Sequence, residues 1–225
     1  YDITDPGSST EVGGVIYQDA ANVGSGTGNY DPFLTLTGND GDVAGFNSNG
    51  TDASNPDIQA GGDRTTAVLM SDVPIIVIDG VEYFEIRLDL NESNSEKTTQ
   101  TSDPQIYLTE FQLYSSSDGT IETLTDLQSQ TMVYDLDKLA DNTILLSEES
   151  TGSGTDDYAF LVPVSLFNGA DPTTTYLYLY AALGSKTVKN WEEDAGFEEF
   201  NLANAGSIEG IKFEDADNDG SFDST

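Results

Sequence analysis

The stretch PIIVIDGVEYFEIRLDL at positions 74–90 constrains the fold more than any other part of this chain. Asp79-Gly80 lies between two apolar runs, and this dipeptide is typical of the positive-φ turn in a two-residue β-hairpin. From Phe84 to Leu90 apolar and charged residues alternate, which places the apolar side chains on one face of a strand. The segment therefore predicts a half-buried antiparallel hairpin.

Similar runs bounded by turn residues recur along the chain, and they predict an all-β protein. The architecture we expect is an antiparallel two-sheet β-sandwich, jelly-roll-like, with minimal helix. The further predicted strands are Val15–Tyr17, Phe33–Thr37, Ile106–Tyr114, Met132–Asp135, Thr143–Leu146, Tyr158–Val164 and Tyr176–Ala181. Helical turns are indicated only at Leu136–Ala140 and Val164–Phe167, and the polar stretch Gly38–Arg64 is predicted to be a long loop.

No linker or internal repeat divides the sequence, so we expect a single domain over residues 1–225. Residues 1–14 are interpreted as an N-terminal extension that could add a strand to the sheet of a neighbouring copy. Residues 211–225 are interpreted as a C-terminal calcium loop.

Charge is the most unusual property of the composition: 41 acidic residues stand against 7 basic ones, a formal net charge of −34. Nucleic acid and anionic lipid both need cationic side chains to replace counterions, so neither is expected as a partner. Such a surface is tolerated where calcium is bound at oxygen-lined sites, or where high salt screens the repulsion. The acids lie beside many Asn, Gly, Ser and Thr residues, which favours calcium without excluding salt adaptation.

The chain has neither His nor Cys, which removes the commonest general base and the commonest thiol nucleophile. We therefore expect a protein that is not an enzyme. Absence of Cys is compatible with an extracellular or cell-surface location, because calcium can replace disulfides in holding loops. The longest apolar run, Pro74–Ile78, is too short to span a membrane. A chain that opens on Tyr1 is expected to be a processed or trimmed form.

The strongest local motif is EDADNDGSFD near the C-terminus. Alternate carboxylates followed by Gly220 match the first half of a twelve-residue calcium loop, in which the chain wraps around the ion. The predicted calcium ligands are Asp215, Asp217, Asp219, Ser221 and Asp223. The final bidentate Glu would fall beyond Thr225, so the missing ligand must come from water, another loop or a neighbouring chain. The competing interpretation is a solvated acidic tail.

Weaker candidates fall into two groups. Acidic or amide positions that could also hold calcium are Asn39, Asp40, Asp42, Asp156, Asp157, Asp194 and Glu198, although in so acidic a chain a solvated face is the simpler interpretation. Aromatic residues that could form a ligand or assembly surface are Tyr176, Tyr178, Tyr180 and Trp191. For the tyrosines, the alternative is a sheet face covered by loops.

Three segments carry a family resemblance: YDPFLTLTGND…GFNSNG, LMSDVPIIVIDGVEYFEIRLDLNES and GFEEF. Together they resemble a recurrent domain of secreted, often surface-anchored proteins of environmental bacteria such as cyanobacteria. The resemblance spans about Val15 to Leu202 and implies an extracellular location without a mechanism. The C-terminal motif lies outside it and resembles the DxDxDG loops of EF-hands, dockerins and bacterial adhesins.

These observations together lead to one expected function and one alternative. The first is an extracellular structural protein: a calcium-stabilised sandwich that forms a homopolymer by strand addition, giving a filament, sheath or matrix. The alternative is a calcium-dependent carbohydrate-binding or adhesion module, with glycans as partners.

Overall fold

The computed structural model describes residues 1–20, 32–37, 42–48, 59–60, 65–91, 105–148, 156–184 and 197–202. Within these ranges strands are the main secondary structure. In chain order they are β1 (Ser9–Val12), β2 (Val15–Asp19), β3 (Pro32–Leu36), β4 (Val43–Phe46), β5 (Gln59–Ala60), β6 (Val68–Leu69), β7 (Ile75–Ile78), β8 (Val81–Asp89), β9 (Gln105–Ser116), β10 (Thr131–Asp135), β11 (Ile144–Ser147), β12 (Tyr158–Pro163), β13 (Tyr176–Gly184) and β14 (Glu198–Leu202).

Among the described residues the strands form two sheets of seven. The first sheet has the order β1-β2-β12-β8-β14-β3, with β7 also paired to β8. The second has the order β10-β9-β13-β4-β5, with β11 also on β9 and β6 on β13. The strand pairings are antiparallel apart from β4 with β5. The predicted all-β two-sheet sandwich is confirmed, and with these strands it is larger than an eight-stranded jelly roll.

Aromatic side chains from both sheets meet in the core and show how the sheets pack face to face. Tyr17 (β2) and Phe160 (β12) come from the first sheet, and their ring centroids are 5.1 Å apart. Phe111 (β9) from the second sheet lies 5.6 Å from Tyr17 and 5.3 Å from Phe160, edge to face in both pairs. The alternation that predicted β8 is confirmed, because Phe84, Ile86 and Leu88 are buried in this core. The prediction that the strand is half-buried was wrong, because the charged side chains on its other face, from Glu85 to Asp89, are buried as well.

The helix content is minimal, as predicted, but the position of the one α-helix in the described residues was not predicted. A short helix α1 spans Leu124–Gln128, and 3-10 turns span Met70–Asp72 and Val164–Phe167. The prediction at Val164–Phe167 is confirmed, whereas residues 136–140 form turns and no helix. The prediction of an uninterrupted loop over Gly38–Arg64 was wrong, because β4 lies inside it and pairs with β13.

Residues 1–14 belong to the fold, so the prediction of an unpaired N-terminal extension was wrong. The Tyr1 ammonium group donates to Thr143 O at 2.7 Å, and Ile3 N donates to Leu145 O at 3.2 Å, along the side of β11. The chain then crosses to the first sheet, where β1 pairs with β2. Burial of Ile3 in the core holds this segment in place, which leaves it unsuitable as a donor strand for a neighbour.

Candidate functional site

The β7–β8 hairpin is built as its sequence predicts, and it places β7 at an edge of the first sheet. Asp79 and Gly80 have φ of +50° and +83°, the left-handed pair required by a type I′ turn. Ile78 pairs with Val81 and Ile75 with Phe84. β7 and β14 lie on the same side of β8, beside different halves of that long strand.

The hairpin register determines which backbone groups of β7 point outward. Ile78 and Val81 close the two-residue turn as a hydrogen-bonded pair, and Glu85 N donates to Pro74 O at 3.1 Å. The N–H and C=O groups of Ile76 therefore face β8. Those of Ile75 and Val77 face away from it, and no strand in the described ranges pairs with that side.

The side chains around this edge are apolar and exposed. On β7, the side chain of Ile75 is 51% exposed, that of Val77 63% and that of Ile78 37%. On the other side of the turn, the side chain of Val81 is 44% exposed. No residue from Val73 to Ile78 carries a charge, in a chain whose net charge is −34. An apolar strand with unpaired backbone groups is a template for adding another strand. We name Pro74–Ile78 the β7 edge.

Other strands at the sheet margins are protected in ways that the β7 edge is not. On the outer side of β3, Phe33 O accepts a hydrogen bond from Thr66 N at 2.9 Å. β11 is covered by the N-terminal residues described above, and β1 is short and carries Glu11. Charge and covering segments are the usual devices against edge-to-edge association, and in the part of the chain that the structure describes β7 has neither.

A buried ionic cluster lies on the opposite face of β8 from the core. Arg87 Nε donates to Glu85 Oε1 at 2.8 Å, and Arg87 Nη1 donates to Asp156 Oδ2 at 3.2 Å. Asn201 Nδ2, from β14, donates to Asp156 Oδ1 at 2.7 Å. The three charged side chains are 5–9% exposed. The cluster links β8 and β14 to Asp156, two positions before β12, so Asp156 takes part in an ion pair.

Two further calcium candidates, Asp157 and Glu198, lie at the end of β8. Asp157 Oδ2 accepts from Leu90 N at 2.9 Å, and Glu198 Oε2 accepts from Asn91 N at 3.3 Å. Both carboxylates are buried, and they hold successive backbone amides where the strand ends. Because Asp157 and Glu198 are far apart in the chain, their spacing does not predict that they lie together.

Four of the weaker candidates, Asp42, Asp156, Asp157 and Glu198, lie within the described residues. Within the described ranges, no group of three or more acidic side chains is placed to hold a metal ion. Asp42 is exposed and lies against Gly184. Asn39, Asp40, Asp194 and the whole loop from Asp215 to Asp223 lie outside the described residues, so the calcium loop stays a prediction.

The tyrosine row of β13 is packed and does not form an open platform. Tyr178 is fully buried, and its hydroxyl donates to Asp118 O at 2.9 Å. Gly119 lies directly on the ring of Tyr176, where a β-carbon would clash. The three tyrosines contribute to a second apolar cluster beneath α1, with the side chains of Phe46, Tyr114, Ile121 and Leu127. The prediction of a stacking surface at Tyr176, Tyr178 and Tyr180 was wrong for this reason; Trp191 lies outside the described residues.

An apolar groove lies between the β1–β2 turn and the residues after β10. It encloses about 90 Å³, and Val12, Leu136 and Leu166 are among its lining residues. Its size is well below that of a small-molecule site, which occupies on the order of 300–1,000 Å³. The groove therefore does not suggest a substrate or cofactor.

Comparison with known proteins leaves the β-sandwich as the class to which the chain can be assigned. No family model, no curated protein and no solved structure matches it. Among the described residues, no helix has the length and apolar character needed to cross a membrane.

The residues of the β7 edge were missed as functional candidates at the sequence level. The run PIIVI is predicted as a hairpin strand and is too short to span a membrane, but neither inference marks it as a binding edge. The available signal was the loss of alternation: a half-buried strand has one polar face, whereas Ile75–Ile78 is apolar on both. Apolar character on both faces next to a hairpin turn indicates either a buried strand or an edge that binds another chain.

Proposed function

We propose that this protein is an extracellular structural subunit whose β-sandwich assembles with other copies by strand addition. The single observation that carries the proposal is the β7 edge, with its outward backbone groups and its exposed apolar side chains. The N-terminal segment has no such role here, because its residues pair within their own chain. The proposal assigns no catalytic step to the protein.

Strand addition at this edge combines backbone hydrogen bonds with apolar burial. Covering a half-exposed Val or Ile contributes about 1 kcal/mol, so the four side chains around the edge give about 4 kcal/mol per copy. Association itself costs about 4–15 kcal/mol in lost freedom and ordering. The contact is therefore weak for isolated copies. It suits an assembly in which many copies are already concentrated, such as a surface layer or filament.

Calcium has two roles in this proposal. Bound at the loop Asp215–Asp223, it stabilises the subunit, and in solution it reduces repulsion between copies that each carry a net charge of −34. Support for the loop is its sequence spacing alone. A cell-surface location is proposed on the same basis, together with the resemblance to secreted bacterial domains.

The carbohydrate-binding alternative has lost its main support, because the tyrosines proposed to stack on sugars are packed in the second cluster. We therefore give preference to assembly. Glycan binding that disappears with a chelator, in protein that stays monomeric, would reverse this preference.

The test is to measure mass against protein concentration by sedimentation, with and without calcium, for the full chain and for Val77→Lys. We expect concentration-dependent association that Val77→Lys weakens strongly, because a charged side chain at an edge opposes strand pairing. Leu139→Lys is the matched control. It makes the same charge change at a leucine that is 90% exposed and distant from β7 in the chain, and we expect it to associate normally.

Negative-stain microscopy then shows whether the associated species are ordered. Monodisperse single subunits at every concentration and calcium level would refute the proposed function. Equal association by Val77→Lys and Leu139→Lys would show that the contact lies elsewhere.

A further inference from the structure

Resting on the proposed function, we infer that the partner of the β7 edge is the same strand of a second copy, paired antiparallel about a two-fold axis at Ile76. This contact closes at a symmetric dimer, which is the first step of assembly, and growth beyond the dimer needs a second contact. It is argued from the hydrogen-bond pattern, the charge and the flanking residues of the edge.

The hydrogen-bond pattern of β7 is complementary to itself. The outward groups belong to Ile75 and Val77, two residues apart. With the axis at Ile76, Ile75 lies opposite Val77 of the second copy and Val77 opposite its Ile75. Both pairs are then hydrogen-bonded pairs, in which each residue exchanges N–H and C=O with its partner. Every outward backbone group of Ile75 and Val77 is satisfied.

The residues flanking this centre also fit the register. Pro74 lies opposite Ile78 of the second copy, at a position where no N–H is required, so its missing donor is no disadvantage. The side chains of Ile75 and Val77 share one face of the ribbon, and across the axis they become neighbouring apolar pairs of the kind that stabilise antiparallel strands. A partner strand with polar or charged alternation would leave this apolar face exposed.

Charge selects a copy of β7 over most other segments of a neighbouring chain. The residues from Val73 to Ile78 are uncharged, so two such strands meet with no ionised side chain at the centre. The β1 edge, by contrast, would bring Glu11 into the contact. The exposed Asp72 and Asp79 flank the strand, and antiparallel pairing brings the Asp79 end of one copy beside the Asp72 end of the other. Added cations should therefore favour the dimer.

Single cysteines test the register directly, because the natural chain contains none. At the axis, residue 76 faces itself in a non-hydrogen-bonded pair, with Cα atoms about 4.5 Å apart, which is within disulfide range. We expect Ile76→Cys to form a covalent dimer under mild oxidation at least about tenfold faster than Leu139→Cys, since pairing raises the effective thiol concentration. Leu139→Cys is the control for random collision at a more exposed site.

A mixture of Ile75→Cys and Val77→Cys reports the strand direction, and it serves as a second readout if Ile76→Cys folds poorly. The antiparallel register places residue 75 opposite residue 77, so the mixture should form mixed dimers faster than either variant alone. Faster cross-linking of Val77→Cys with itself would indicate parallel pairing or an antiparallel register shifted to Val77, and either result would overturn the inference.

The remaining outcomes separate this inference from the function on which it rests. Concentration-dependent association without enhanced Ile76→Cys cross-linking overturns the β7–β7 pairing and leaves assembly in place. Monomer at every concentration, with cross-linking no faster than for Leu139→Cys, overturns both.

Discussion

Replacing Arg87 with methionine removes the only cation of the buried cluster on β8 while keeping a long, flexible side chain. Its guanidinium group holds Glu85 and Asp156, with Nη2 2.6 Å from Glu85 Oε1 and Nη1 3.2 Å from Asp156 Oδ2. The side chains of both carboxylates are less than a tenth exposed. After the change, two negative charges remain buried close together without the group that held them.

The free energy of unfolding that Arg87→Met loses depends on how deeply the ion pair is buried. A solvent-exposed ion pair contributes about 0–1 kcal/mol, whereas removing one partner of a buried pair costs about 3–5 kcal/mol. Because the cluster retains slight exposure and Asn201 still donates to Asp156, we expect the low end of that range, about 3 kcal/mol. For a chain of 225 residues this lowers Tm by roughly 6–12 °C.

Urea denaturation of Arg87→Met and Lys138→Met is the assay. Lys138 is exposed, so its replacement makes the same change in net charge at the surface and should alter the free energy of unfolding by less than about 0.5 kcal/mol. Salt separates a loss caused by surface repulsion from a loss caused by breaking the buried ion pair. At about 1 M salt the Debye length is about 3 Å, so surface repulsion is screened while buried pairs are screened much less. A loss for Arg87→Met within about 1 kcal/mol of the control, or one that vanishes in high salt, would refute the buried-pair reasoning.

Two further predictions concern pH and calcium. Burial raises the pKa of Tyr114 and of Tyr178 to about 12. Above pH 10 the folded state therefore binds more protons than the unfolded state. We expect the free energy of unfolding to be at its full value below pH 10 and to fall between about pH 10 and 12. Urea midpoints across that interval check this, and Tyr178→Phe should show a smaller fall than the natural chain. A chelator at moderate salt should lower Tm, since an ion bound only by the folded state stabilises it by mass action. Asp217→Asn should reduce that response and the exposed control Asp5→Asn should not; a Tm unaffected by chelator would favour salt adaptation.

The hairpin and the sandwich could be predicted because their signals are local. Asp79-Gly80 and the alternation after it lie within one short segment, and the structure reproduces both. Strand β4 could not be recognised from the sequence, because the residues that hydrogen-bond with this segment are distant from it in the chain. Asn47, directly after β4, is fully buried and donates through Nδ2 to Leu177 O at 3.1 Å, a residue 130 positions away. A polar residue satisfied by so remote a partner resembles a loop residue when it is read alone.

Helix α1 is a different case, because its signal was present and local. Thr123 Oγ1 accepts from Asp126 N at 3.1 Å, which is an N-cap with an acid three residues later. The pattern Thr-x-x-Asp before Leu127 could have placed this helix, and Leu136–Ala140 offered no comparable cap.

The acidic candidates show why composition predicted so little about sites. In a chain with 41 acids, clusters in the sequence are common, and what distinguishes one carboxylate from another is its partner. Asp156 meets Arg87, and Asp157 and Glu198 meet backbone amides at the end of β8. Their partners lie on strands that are distant in the chain, so spacing could not reveal them.

The distribution of charge also connects the fold with the proposed assembly. The buried acids Glu85 and Asp156 are held by Arg87 and Asn201, and the edge at Pro74–Ile78 carries no charge at all. Repulsion between copies therefore does not arise at the centre of the proposed contact, but from the rest of each subunit and from the aspartates beside the strand. Backbone pairing at the edge is short-ranged, whereas repulsion acts over a Debye length of about 8–10 Å at moderate salt. Whether two edges meet is then decided by the ionic environment, while the direction and register in which they meet are decided by Ile75 and Val77.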